Sequence, residues 1–208
     1  MGAAAAAVLL VLGVVLIGLA AIGQQHPPQP PRVASTQPPP PPTVSTAQPS
    51  ATVPVQPPST PVSLSIPAIH VSSSLLQLGL NPDKTVEVPP LAGDSVAGWY
   101  RYSPTPGALG PAIILGHVDS AEYGPGVFYD LGALRAGQTI TVTRADGTAA
   151  VFGVSRVTRY PKAQFPTAEV YGNLDYAGLR LITCGGVFNS SARSYDDNVV
   201  VFAALLPQ

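Results

Sequence analysis

Only one residue of the 208 carries a thiol, Cys184. It ends the run Leu179-Arg180-Leu181-Ile182-Thr183-Cys184 and is followed by Gly185-Gly186. An apolar, β-branched run of this kind reads as a strand that delivers a special residue to its end, with the glycines turning the backbone away just after it. The thiol there is either a nucleophile or a small buried hydrophobe, and the run by itself leaves both open. Thiol catalysis needs an imidazole to take the thiol proton and later protonate a leaving amine. Of the three histidines, His26 lies among prolines and His70 falls inside the first strand, whereas His117 closes the buried run Ala112-Ile113-Ile114-Leu115-Gly116. Two strands thus end in a reactive side chain. The alternative for His117 is a ring that hydrogen-bonds its own loop.

An acyl-transfer site also needs a donor near the developing oxyanion. Arg193 is the single arginine after Cys184. If 179–184 and 199–205 pair as antiparallel neighbours, Arg193 falls in their connection. With strands ~4.8 Å apart its guanidinium could reach the thiol. Its other reading is a surface ion pair with Asp196 or Asp197. Arg180 shares the cysteine's strand face but sits roughly 13 Å along the strand, too far for a direct role.

The elements that must position these groups are short strands. Val62–Ile66 alternates, breaks at Pro67 and resumes at Ala68–Val71, as an edge or interrupted strand does. Short strands or turns follow over 75–80 and 86–88, and then the aromatic strand Gly98–Tyr102. Val127–Leu134 suggests a helical turn. Thr139–Arg144 and Ala149–Val157 flank Asp146-Gly147 and read as a hairpin. Val199–Leu205 closes the chain. About eight strands with turn signals and little helix predict an all-β barrel or sandwich.

The first third is different. Ala3 to Ile22 is an uncharged apolar run long enough, at 1.5 Å per residue, to span roughly 30 Å of bilayer core. We expect an uncleaved membrane anchor over 1–23; the rival is a cleaved signal peptide ending near Gly18-Leu19-Ala20. Residues 24–61 hold much of the chain's 25 prolines and are expected to form a disordered linker, up to ~120 Å long if extended. The globular domain is expected over 62–208. Charged residues make up 10% and the net charge is −1, which argues against a nucleic-acid partner. One cysteine excludes an intramolecular disulfide, and no second histidine or carboxylate cluster has ligand spacing around His117, so no metal is expected.

Leu115-Gly116-His117-Val118-Asp119-Ser120, Leu181-Ile182-Thr183-Cys184-Gly185-Gly186 and the closing Asn198-Val199-Val200-Val201-Phe202-Ala203 together resemble the sortase family, the cysteine transpeptidases of Gram-positive envelopes. The resemblance covers about residues 62–206 in the family's order of histidine, cysteine, arginine. The glycine pair after the cysteine is most similar to class E/F sortases of high-GC Gram-positives.

The resemblance implies a closed eight-stranded β-barrel with short helices or turns. It also implies a transpeptidase and endopeptidase of the hydrolase class that uses no cofactor. Cys184 would attack the Thr–Gly bond of an LPXTG-like sorting signal, and His117 would be the acid/base. Arg193 would hold the substrate backbone and the oxyanion. Thr183 and Asp119 would help bind or orient, Asp119 by holding the imidazole. Partners would be proteins bearing the sorting signal, a peptidoglycan precursor or other amine acceptor, and the membrane through the N-terminal helix, with the catalytic domain extracellular. Many sortases carry their arginine near the start of the last strand, where this chain has Tyr195-Asp196-Asp197-Asn198; Arg193 lies just before that point. The alternatives are an envelope-anchored β-domain without catalysis, whose thiol would be buried, and an L,D-transpeptidase-like enzyme, whose Ser-x-Gly-Cys-like motif is missing here.

Overall fold

The computed structural model describes residues 26–33 and 53–207. The expected anchor over 1–23, and linker residues 24–25 and 34–52, lie outside the described residues. Ten strands run β1 Pro61–Ile66, β2 Val71–Leu78, β3 Ala97–Tyr100, β4 Gly110–Leu115, β5 Asp119–Ser120, β6 Gly124–Pro125, β7 Thr139–Arg144, β8 Ala149–Pro161, β9 Ala177–Asn189 and β10 Ser194–Leu205. Among the described residues one short helix, α1, spans Thr167–Tyr171. Eight of the strands close into a barrel in the order β1-β2-β3-β4-β9-β10-β8-β7, and β5 with β6 forms a separate two-stranded ladder. The expected closed eight-stranded all-β barrel is what the chain forms.

Local chemistry explains several elements. Pro67 cannot continue the ladder, so β1 stops there and a single 3-10 turn over Pro67–Ile69 leads into His70. His70 has a left-handed backbone, φ 54°, which reverses the chain so that β2 returns antiparallel to β1. The run expected as one broken strand is therefore a hairpin, and His70 sits at its turn rather than inside a strand. Asp146-Gly147 makes the β7–β8 turn as expected: Thr148 donates through N–H and Oγ1 to Asp146 Oδ1, and Gly147 takes φ +80°. Val127–Leu134 supplies its helical turn at Leu131–Ala133.

Strand alternation divides the apolar residues between two clusters. Ile114, Leu179, Leu181, Val199 and Val201 point into the barrel with Phe128 and Phe152. Ile113, Ile182, Val200 and Phe202 point outward and are covered by Tyr160, Val170 and the half-buried Phe165 and Tyr171. α1 and its flanks thus roof the outer face of the sheet where β9 and β10 lie.

Two adjacent pairs are parallel, β2 with β3 and β4 with β9. Parallel neighbours need long connections. The one between β2 and β3 is residues 79–96, and the one between β4 and β9 carries β5 to β8 and α1.

β8 has 13 residues, but β7, with six, pairs only its first part, from Ala149 to Gly153. The overhang exposes backbone donors and acceptors along an edge. Residues 26–33, from the stretch expected as free linker, cover that edge. Arg159 N–H donates to Pro31 O at 3.2 Å and Val33 N–H to Arg159 O at 3.1 Å, and Pro27 and Pro30 are buried. Residues 53–60 are also seated, with Gln56 N–H on Gly107 O and the buried Arg144 on Pro57 O.

Candidate active site

His117 and Cys184 become neighbours through the β4–β9 ladder. The register runs from Gly110↔Ala177 to Leu115↔Ile182, and both reactive residues lie two positions beyond that last pair. Gly116 N–H continues the contact by donating to Ile182 O at 3.2 Å. Adjacent strands of a sheet are ~4.8 Å apart, so His117, just past the end of β4, lies beside Cys184 within β9. Both line one cavity of about 830 Å³, a size typical of ligand sites. The cavity floor is Ile182, Thr183, Cys184 and Asn198, and the α1 side supplies Lys162, Phe165, Thr167 and Tyr171. The opposite wall is the 79–96 connection, through Leu80, Lys84, Val86, Val88 and Pro89.

The backbone of His117 is fixed by the segment after it. Phe128 N–H donates to His117 O at 3.0 Å, and Gly126 lies so close that a Cβ there would come within 2.4 Å of the same oxygen. Gly116 has no room for a side chain either, since a Cβ would meet Phe128 at 2.6 Å. The ring is aimed by the 79–96 wall: Nε2 lies 2.6 Å from Pro89 O. A carbonyl only accepts, so Nε2 carries the proton, and in the neutral ring Nδ1 holds the lone pair.

The cysteine's position depends on the two glycines, though not as expected. The strand does not end at them; it continues to Asn189, and the chain reverses only at 190–193. From the hairpin tip, Asn189 pairs with Ser194 and Phe188 with Tyr195, but Gly185 pairs with Asp197 and Cys184 with Asn198. One extra residue on β9 is therefore bulged out at Gly186-Val187. Gly186 adopts φ +83°, and a Cβ there would lie 2.6 Å from Asp197 Oδ2. A Cβ on Gly185 would lie 2.7 Å from Val199 Cγ2. Only glycine fits both places.

The bulge shifts the register by one, which reverses the faces. It sets Asn198 directly across from Cys184, with Cβ atoms in such pairs typically ~4.5–5.5 Å apart. Cys184 is half-buried and shares the outer, cavity-lining face with Ile182.

The expected residues are thus only partly gathered. His117, Cys184 and Thr183 line the cavity, and Thr183 is buried with its Oγ1 unpartnered. Arg193 does not line it: it is exposed at the hairpin tip with φ 48°. Asp119 accepts a 2.5 Å hydrogen bond from Tyr195 Oη, which ties the loop after His117 to β10 instead of meeting the imidazole. Burial first, and then that bond to the Asp119 carboxylate, hold the Tyr195 phenol well above its usual range.

Asn198 and the 79–96 wall were not singled out from the sequence. Counting back along a regular hairpin pairs Cys184 with Val199; the left-handed Gly186 is the one signal that would have moved the count to Asn198.

Beneath this floor Asp197 is buried and held by two arginines. Arg32 Nη2 lies 2.8 Å from Oδ1, and Arg159 Nε is 3.4 Å from Oδ2, an ion pair without hydrogen-bond geometry.

A half-buried thiol, an imidazole of fixed tautomer and a carboxamide around one mostly apolar cavity can attack, deprotonate and stabilise an acyl group. The non-catalytic reading required a buried thiol, and this one opens on the cavity. The family model of the sortase domain matches residues 64–206. No curated protein sequence matches the chain.

Solved structures share the fold. A sortase D5 transpeptidase from Clostridium perfringens has 20% identity and a TM-score of 0.52 over 71% of this chain and 79% of its own. A lid mutant of sortase A from Corynebacterium diphtheriae has 17% identity and a TM-score of 0.54 over 74% and 73%. Sortase C-1 from Actinomyces oris has 19% identity and a TM-score of 0.53 over 71% and 74%.

Proposed function

The chain belongs to the sortase family, and on that premise we propose that it cleaves an LPXTG-like sorting signal between Thr and Gly and passes the acyl group to a cell-wall amine. The observation that carries this reading is the parallel register that sets His117 beside Cys184 in one cavity. The Cys184 sulfur attacks the threonine carbonyl carbon while His117 Nδ1 takes the thiol proton. The oxyanion is met by the Asn198 carboxamide and backbone N–H groups. Collapse of the intermediate breaks the C–N bond, and His117 returns its proton to the departing glycine amine. An amine nucleophile then attacks the thioester, loses its proton to His117 and releases the thiolate, which is reprotonated.

The apolar walls suit the leucine and proline of such a signal. The same reading keeps the barrel outside the cell on a single-pass anchor formed by the apolar run 3–22.

The test is cleavage of a panel of sorting-motif peptides with and without an added amine. Cys184→Ala should abolish cleavage while the circular dichroism spectrum and melting temperature stay those of the wild type. Cleavage by the alanine variant would overturn the assignment. Fractionation of cells making the full chain should place it with the membranes, accessible to external protease.

A further inference from the structure

Residues 27–33 fall outside the part of the chain matched by the sortase domain, yet they end directly behind the reactive cysteine. Three contacts define how. Gln29 Oε1 accepts from Gly186 N–H at 2.8 Å, the amide that the bulge withdraws from the β10 ladder. The same oxygen takes Arg159 Nη1 at 3.3 Å. Arg32 Nη2 meets the buried Asp197 carboxylate at 2.8 Å, one residue before Asn198. The strap is itself held firmly: Pro28 O rests on Gly132 so closely that a Cβ there would approach to 2.0 Å.

We propose that Gln29 and Arg32 are positioning residues of the active site. They fix the Gly185-Gly186 bulge and the start of β10 so that Cys184 and Asn198 face the cavity together. The physical reason is that both groups they satisfy sit where the ladder is interrupted. Without Gln29 the Gly186 amide has lost its partner, and without Arg32 a buried carboxylate keeps only the poorly aligned Arg159. The bulge can then relax toward the regular register, which turns Cys184 away from Asn198.

This proposal rests on Cys184 being the nucleophile, so the experiment reads the thiol directly as well as through turnover. In the full chain, Gln29→Ala and Arg32→Ala should each lower kcat for peptide cleavage about tenfold or more with KM within about twofold, as a displaced reacting group does. Arg32→Lys should recover most of the loss. Because Cys184 is the single cysteine, its alkylation by iodoacetamide across pH can be followed without ambiguity. Both alanine variants should change the rate and its pH midpoint at a temperature where circular dichroism shows each still folded. Wild-type kcat and alkylation in both variants would overturn the proposal. So would activity and alkylation changes that track loss of folded protein and are not recovered by lysine. If the wild type cleaves no peptide, the proposed function fails, and the alkylation profiles alone decide whether the strap positions the thiol.

Discussion

Asn198 meets Cys184 across one rung of the ladder, which gives the site a neutral donor where Arg193 was expected to bring a charge. A carboxamide donates through two N–H groups and carries no field beyond its reach. Asn198→Ala should therefore lower kcat by about a hundredfold, the scale of a lost oxyanion donor, while Arg193→Ala stays within about twofold of wild type. Initial rates of peptide cleavage check both, and the reverse result would return the role to Arg193.

Tyr195 makes a second residue-scale prediction. Its phenol is held above the ordinary value of about 10 by burial and by the Asp119 carboxylate, so the unfolded chain ionises first as pH rises. Its contribution to stability is complete below about pH 10 and is lost as pH climbs toward the folded value. Melting temperature should fall more steeply between about pH 9 and about pH 11 in the wild type than in Tyr195→Phe.

At the scale of elements, the β9 bulge decides which side chains share a face. Gly186→Ala would force a left-handed backbone on alanine, costing about 1–2 kcal/mol, and would also push its Cβ into Asp197. A urea melt should show at least that loss, with peptide cleavage falling further than stability. Most strands could be read from alternation, the β7–β8 hairpin from Asp146-Gly147 and the strand end at His117 from a buried run. What alternation cannot show is which strands lie side by side. The β4–β9 pairing is parallel and joins distant segments, and the bulge moves the pairing by a residue that no local pattern marks. The hairpin itself was legible, and Arg193 does lie in its connection, but the one-residue shift decided that the cavity received Asn198. Residues 26–33 read as linker because so proline-rich a stretch buries too little apolar surface of its own to offset the entropy of ordering. Their role as cover for the β8 overhang depends on an edge that exists only after the barrel closes.

Across the whole molecule, the charged side chains lining the cavity are of one sign. Lys84 and Lys162 line it from opposite walls, and among its described lining residues there is no carboxylate. A sorting-motif peptide with an acidic residue should show a lower KM than its neutral counterpart. The difference should shrink as salt rises from about 0.01 to about 1 M and the Debye length contracts. Peptide pairs assayed across that range check it. The parallel β4–β9 ladder also has a consequence in time. The β9–β10 hairpin brings together residues close in sequence and can form early, whereas docking β4 onto β9 must first close the long stretch of chain between Leu115 and Ile182. The cysteine's hairpin should thus form before His117 docks beside it. During refolding, strand signal in the far ultraviolet should recover before peptide cleavage does, and catalytic competence should appear with the slowest kinetic phase.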